Sequence, residues 1–295
     1  RSETKAKDFA NKYKAIKYYD NYESLAEDPE VDIIYIATPH TLHCENTLMC
    51  LEHNKAVLCE KPFAINSYEA MKMIEKAKTK NLFLMEAIWT RFSPHIIKAL
   101  EILSSGIIGE IKMIAADFGF KAVYDPQQRL FNIDLGGGSL LDIGIYPLFL
   151  SLLILGKPSE IKANATLNIT GADETCSIIL KYNDSKQAVL FSTLMANTRT
   201  EAIVYGTNGF LHILPQWFRP SDLKLCLNNG KSKKFNFKKQ GFGYQYEAIE
   251  AMNCLISGKN ESDILPLSFS FDLINLLDNI RHQTGIKYKS DEIKY

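Results

Sequence analysis

The sequence lacks a net charge: 34 Lys+Arg balance 34 Asp+Glu over 295 residues. A chain this neutral has no global field to gather nucleic acid or an anionic membrane surface, and neither partner is expected. Its one basic run, 231–239, interleaves Phe235 and Phe237, which suits a solvated hairpin edge better than an RNA-contacting strand. Cysteines are few and scattered (Cys44, Cys50, Cys59, Cys176, Cys226 and Cys254), with no CxxC pair. That spacing argues against a zinc site and a disulfide framework, and suits a reducing cytoplasm. His40, His43 and Cys44 lie close together, but no second cluster completes four ligands, so no metal is expected. The longest apolar stretch, 140–155, contains Asp142 and Pro147 and falls short of the roughly 18–20 residues of a membrane span. It reads as a buried helix. No G-x-G-x-x-G phosphate turn, internal repeat or low-complexity segment occurs anywhere in the chain.

What is present is an ordinary globular composition, 46% hydrophobic and 23% charged, long enough for two domains or one large one. Ser2 is placed to cap a helix over 3–13 whose Ala6, Phe9, Ala10 and Tyr13 share a face. The pattern then alternates: a strand over 31–37, a helix over 41–53, a strand over 56–59, a helix from Ser67 and a strand over 82–85. Strands and helices in units of this size predict a parallel, doubly wound sheet, with Thr38, Glu60 and Glu86 along its carboxyl edge. Beyond Trp89 the character changes. A helix over 94–104, a strand over 111–120 and the apolar helix precede strands over 161–169, 175–182, 188–194, 201–205 and 210–214. The Thr207-Asn208-Gly209 turn reads as a hairpin. Runs of strands after an α/β half predict a second, α+β domain with a large, mostly antiparallel sheet. Two helices, 244–256 and 268–282, close the chain, and the domains are expected at 1–88 and 89–295.

Two places can carry chemistry. The buried strand over 56–59 ends in Glu60-Lys61-Pro62, and ligands of open α/β sheets sit outside such strand ends. Lys61 is then either a crevice residue or an ordinary surface charge. The apolar helix carries Asp142 and Tyr146 four residues apart, on one face. A carboxylate there needs a partner, either a local cap or a functional cation. Gly136-Gly137-Gly138 does not follow a buried strand, so it reads as a tight turn.

Together, Ala37-Thr-Pro-His-Thr-Leu-His43, Glu60-Lys61-Pro62, Glu86-Ala-Ile-Trp-Thr-Arg-Phe92 and Gly136-Gly-Gly-Ser-Leu-Leu-Asp-Ile-Gly-Ile-Tyr146 resemble the Gfo/Idh/MocA oxidoreductases. The resemblance runs essentially to the C-terminus and is strongest toward the dimeric dihydrodiol dehydrogenases, which also oxidise D-xylose. It implies a Rossmann-like first domain and hydride transfer between a nicotinamide cofactor and a sugar or cyclic trans-diol. It also implies a homodimer formed through the C-terminal sheet. Lys61 matches the family's catalytic lysine, and Tyr146 stands where many relatives have histidine and the dihydrodiol dehydrogenases have a catalytic tyrosine. An ammonium within hydrogen-bond distance would lower the phenol from its ordinary value near 10, so Lys61 is expected to activate Tyr146 as a base. Asp142 is expected to orient the substrate or Lys61, and Trp89 to wall the substrate or simply pack. Thr38, Pro39, His40, His43 and Glu60 match positions along the dinucleotide, His43 as a helix-start contact, and Arg91 is expected at its loop or the cofactor.

The departure from the family is at the start. The first strand and the glycine-rich pyrophosphate turn are absent, and an upstream segment is expected to precede Arg1. Aligned this way, Arg1 and Ser2 follow the second strand. An arginine there favours NADP, through its fork on the 2′-phosphate, over NAD. The competing class is a cofactor-binding regulator or scaffold without turnover, against which Lys61, Asp142 and Tyr146 together argue. A lysine-nucleophile aldolase or hydrolase would leave Asp142 and Tyr146 unexplained.

Overall fold

The computed structural model describes residues 2–238 and 240–292. Ser2 caps α1 (Glu3–Tyr13), its hydroxyl accepting from the Lys5 amide at 3.4 Å. The expected apolar face of this helix is not buried as a unit: Ala10 is buried, whereas Phe9 and Tyr13 are exposed and pack on each other. A short helix absent from the sequence reading, α2 (Tyr22–Glu27), follows with Asn21 as its cap.

The alternating half folds as expected. Strands β1 (Ile33–Ile36), β2 (Ala56–Glu60) and β3 (Leu84–Ala87) form a parallel sheet in the order β1-β2-β3. Between them lie α3 (His43–Glu52), entered through a 3₁₀ turn at His40–Leu42, and α4 (Ser67–Lys80), capped by Asn66 rather than by Ser67. Every described residue of β2 before Glu60 is buried, as a central strand covered on both faces requires.

After a 3₁₀ turn at Trp89–Phe92, α5 (Pro94–Ser104) leads into β4 (Ile111–Gly119). The apolar helix opens with a π-helical turn, Leu140–Gly144, and continues as α6 (Ile145–Leu155). The segment Ile133–Leu155, a 3₁₀ turn and the apolar helix joined by the glycine turn, has the length and hydropathy of a membrane span, yet most of its apolar stretch is buried inside the molecule.

The second sheet takes β5 (Glu160–Leu167), β6 (Asp173–Lys181), β7 (Gln187–Thr193), β8 (Ala202–Gly206), β9 (Gly209–Ile213), β10 (Leu223–Leu227) and β11 (Ser232–Phe235). Its order is β11-β10-β9-β8-β4-β7-β6-β5. All neighbours are antiparallel except β4 and β7, which run parallel because β4 arrives from the other half of the chain. Thr207 and Asn208 form the two-residue turn between β8 and β9. The basic run supplies β11, an edge strand whose lysines are exposed, which is how sheet edges are kept from pairing further. Helices α7 (Gln245–Ile256) and α8 (Leu267–Thr284) complete the fold. Strand β6 alternates buried and exposed residues from Cys176 onward, so one sheet face packs inward on α6 and the other faces out.

Candidate active site

A cleft of about 250 Å³ opens at the carboxyl ends of β1 and β2, where the two halves of the chain meet. Thr38, His40 and His43 line it from the β1 side, Glu60 and Lys61 from β2, and Arg129 and Asp142 from across the junction. This is the crevice that a doubly wound sheet offers a ligand.

Lys61 reaches across it. Its ammonium donates to the Asp142 carbonyl at 2.5 Å and to Asp142 Oδ1 at 3.3 Å, and stands 5.1 Å from the centroid of the Tyr146 ring. The π turn and the four-residue spacing bring both helix residues to the same ammonium. Asp142 is also gripped by Arg129, Nη1 to Oδ1 at 2.8 Å and Nη2 to Oδ2 at 3.5 Å. Burial alone would raise the Asp142 carboxyl, but Lys61 and Arg129 more than reverse this and hold it well below the usual carboxylate range. The aspartate is ionised and paired on both sides.

Tyr146 corrects one expectation. Its hydroxyl does not bond Lys61; it accepts from the Trp89 indole N–H at 2.7 Å, and burial raises the phenol well above its ordinary value. The ammonium lies over the ring face and gives its hydrogen bonds to Asp142, so none of them holds a phenolate on Tyr146. Tyr146 therefore keeps its proton, and with its oxygen accepting from Trp89 that proton is free to be donated.

Around the phenol stands an aromatic wall. Trp89 stacks on Tyr244 with ring centroids 4.3 Å apart, and Phe118 stacks on Phe218 at 4.1 Å. Phe118 and Phe218 each meet the Tyr146 ring, at 5.5 and 5.7 Å. Gly243 lets its loop close on this wall: its φ is +109°, and a Cβ would stand 3.1 Å from the Trp89 ring. Phe118, Phe218, Tyr244 and Arg129 were not singled out by the sequence reading. Phe218 comes from a loop without periodicity, and Tyr244 stands at the very start of a helix, ahead of its periodic face. Arg129 did carry a signal, as a cation shortly before a buried aspartate that needs one.

The remaining residues divide. His40 is buried, its Nδ1 bonds the Gly136 carbonyl at 2.9 Å, and burial lowers its imidazole to about 3, so it is neutral and donates from Nδ1. His43 opens α3 between the carbonyls of Pro62 and Thr38, at 2.8 and 3.0 Å, tying the ends of β1 and β2 together. Glu60 accepts from the Tyr35 hydroxyl and from the Lys61 amide, and burial raises its carboxyl. Pro39 precedes the 3₁₀ turn and Ser2 caps α1; neither lines the cleft. Arg91 turns away from it. Its Nε donates to the Ile264 carbonyl at 3.1 Å and it lines a separate groove with Leu153 and Ile154, so of its two expected roles the geometry describes a loop contact. Arg1 lies outside the described residues.

The cleft suits the nicotinamide end of a dinucleotide: it pairs a lysine at a strand end with a carbonyl-lined β1 terminus, beside an apolar aromatic wall. Comparison with known proteins accords with this. Residues 1–88 match the oxidoreductase family with an NAD-binding Rossmann fold, and residues 96–212 match the GFO/IDH/MocA C-terminal domain. The chain is 39% identical to a trans-1,2-dihydrobenzene-1,2-diol dehydrogenase of Xenopus tropicalis, over 96% of this chain and 88% of that protein. The human protein of that name is 35% identical over 98% of this chain and 88% of its own. Among solved structures, levoglucosan dehydrogenase in complex with NADH and levoglucosan superposes with a TM-score of 0.86 at 19% identity, covering 96% of this chain and 86% of that one. A 3-ketoreductase from Actinomadura kijaniata, in complex with TDP-benzene and NADP, gives 0.83 at 24% identity, covering 96% and 87%. The chain belongs to the Gfo/Idh/MocA oxidoreductase family and is an NAD(P)-dependent dehydrogenase.

Proposed function

We propose that this enzyme moves a hydride between NADP and the carbinol carbon of a sugar or cyclic trans-diol, with Tyr146 handling the proton. One observation carries the reading: Lys61 at the strand-end cleft meets both the Asp142 carboxylate and the ring of Tyr146, whose hydroxyl belongs to the aromatic wall. A bound nicotinamide would supply the hydride acceptor for oxidation of the carbinol carbon and the hydride donor for the reverse reduction. Thr38, His43 and Glu60 border its position, with residues 1–88 serving the cofactor and 89–295 the substrate.

Tyr146 gives its phenolic proton to the carbonyl oxygen during reduction, as negative charge builds there. In oxidation it takes the hydroxyl proton, which requires that the phenol first be deprotonated. The Lys61 ammonium supplies fixed positive charge for the substrate oxygen, and Asp142, itself gripped by Arg129, holds the ammonium in place. Trp89, Phe118 and Phe218 present an apolar face to one side of the substrate ring and exclude water. An arene diol or the apolar face of a pyranose fits such a wall.

NADP is the preferred cofactor in this reading, on the strength of Arg1 in the sequence alone, since the solved neighbours hold NADH in one case and NADP in another. The outer face of the larger sheet supports a homodimer. Ile179, Val189, Ala115 and Ile203 lie in one register row across β6, β7, β4 and β8, and Phe191 and Tyr205 extend the exposed apolar surface. A cytosolic location accords with six free cysteines.

The test is reduced-nicotinamide absorbance with a panel of sugars and cyclic diols, using NADP and then NAD, on the wild type beside Lys61→Met and Tyr146→Phe. Turnover lost in both variants supports the reading; turnover that survives both removes it. A Kd for NADP no tighter than for NAD overturns the preference, and a monomer by sedimentation overturns the dimer.

A further inference from the structure

The turn that delivers Asp142 and Tyr146 is built from three glycines, and two buried residues far away in sequence close on it. Tyr288 is buried, and its hydroxyl donates to the Gly137 carbonyl at 2.7 Å. Asp173, at the start of β6, is fully buried on another side; its Oδ2 accepts from Ser139 Oγ at 2.7 Å and from the Leu140 amide at 2.8 Å. The Leu140 amide is the first backbone donor of the π turn that carries Asp142, a group a helix start leaves without an intrahelical partner. The fit leaves no slack. Gly138 has φ +125°, and a Cβ there would stand 2.2 Å from Asp173 Oδ1 and 3.3 Å from the Tyr288 hydroxyl.

We propose that Asp173 and Tyr288 are positioning residues for catalysis: together they clamp the Gly136–Gly138 turn and so fix Asp142 and Tyr146 against Lys61. Neither lines the cleft, and both act through the helix they hold.

Two further observations bear on this. Asp173 Oδ1 is buried without a hydrogen-bond partner, and burial pushes its carboxyl up to about 6. A carboxyl kept in so unfavourable a place, where the neighbouring residue must be glycine to admit it, is doing more than filling space. The segment bearing Tyr288 also reaches the other catalytic turn. Arg281 stacks on the Tyr288 ring, 5.1 Å from its centroid, and pairs with Asp278 at 2.5 Å and Asp291 at 2.6 Å. Asp278 accepts from the Ser67 amide at 2.7 Å, and Asp291 from Asn66 at 3.0 Å. Asn66 lies just past the Glu60-Lys61-Pro62 turn, so one C-terminal segment is tied to the turns of Lys61 and of Asp142.

The inference rests on the proposed roles of Lys61 and Tyr146. Its test is steady-state turnover of full-length Tyr288→Phe and Asp173→Asn with NADP and whichever panel substrate the wild type accepts, with thermal melts to verify folding. A displaced Asp142 is expected to lower kcat about tenfold or more, with both KM values within twofold and a larger primary isotope effect from substrate deuterated at the carbinol carbon. Because Tyr288 acts through Asp142, adding Tyr288→Phe to Asp142→Asn should cost little beyond Asp142→Asn alone. Should Asp173→Asn not fold, Tyr288→Phe decides the matter. A folded variant with wild-type kcat, or a loss that adds in full to that of Asp142→Asn, overturns the clamp. Lys61→Met is measured in parallel: turnover surviving there removes the catalytic reading and the clamp with it. Turnover lost in Lys61→Met but intact in Tyr288→Phe removes the clamp alone.

Discussion

Trp89 donates its indole N–H to the Tyr146 hydroxyl at 2.7 Å, and both side chains are buried. The bond fixes which way the phenol can act, because its oxygen is occupied as an acceptor while its proton is not. Tyr146→Phe removes that proton and leaves the indole N–H unpaired. Turnover should fall by about 10²–10⁴, and stability by about 1–3 kcal/mol, with KM little changed. Steady-state kinetics and a denaturant titration check the two together. A variant that loses stability but keeps its kcat would mean that Tyr146 is a packing residue.

The raised phenol has a direction built into it. Burial holds Tyr146 in its neutral form through neutral pH and beyond. The reductive reaction uses that neutral form, so its kcat should stay level from pH 6 to pH 9. The oxidative reaction uses the small deprotonated fraction, so its kcat should climb about tenfold per pH unit over the alkaline side of that range. Measuring both directions on one preparation tests this. An oxidative rate independent of pH would assign the proton to another group.

Much of the fold was legible because its signals are local. The α/β alternation, the strand ending at Glu60 and the Asp142–Tyr146 spacing each lie within a few residues, where periodicity reports directly on which face is buried. The pairing of Tyr146 was not legible. Trp89 and Lys61 both come from distant loops at the same sheet edge, and nothing local decides which reaches the hydroxyl and which lies over the ring. Nor was the burial of α1 legible: its apolar spacing is regular, but spacing does not say whether a surface exists to receive Phe9 and Tyr13. The inward side of β4, by contrast, could have been read one step further, since Phe118 and Ala116 alternate with residues facing the other way.

Arg129 shares Asp142 with Lys61, and removing it should change the acid side of the pH profile. With two cations in place the folded-state carboxyl is depressed, so its charge and its contribution to stability persist above the ordinary carboxylate range and are lost only as pH falls well below it. In Arg129→Gln one cation remains and Asp142 takes up its proton at a higher pH. The ratio of variant to wild-type kcat/KM should therefore hold level near neutrality and fall as pH drops into the ordinary carboxylate range, because a lost charge-assisted bond moves the carboxyl by about one to two pH units. A ratio constant across that range would mean that Lys61 alone keeps Asp142 ionised.

Glu86 offers the opposite sign. It is fully buried in β3, where one oxygen accepts from the Phe63 amide at 3.1 Å, the other has no hydrogen-bond partner, and burial pushes the carboxyl up to about 7. A carboxyl raised on folding binds its proton more tightly in the native state. Its favourable share of stability is complete below the unfolded value, near 4.3, and is lost as pH rises through about 7. Glu86→Gln keeps the acceptor for Phe63 and abolishes the titration. The variant should gain stability on the wild type as pH goes from 5 to 8, with an upper bound of about 3 kcal/mol, seen as a widening gap in denaturant midpoints. The same gap at both pH values would show that Glu86 is already ionised in the native state at pH 5, its carboxyl not raised by burial. A variant that is uniformly less stable would show instead that the charged carboxylate finds compensation beneath the Glu60-Lys61-Pro62 turn, and that the turn depends on it.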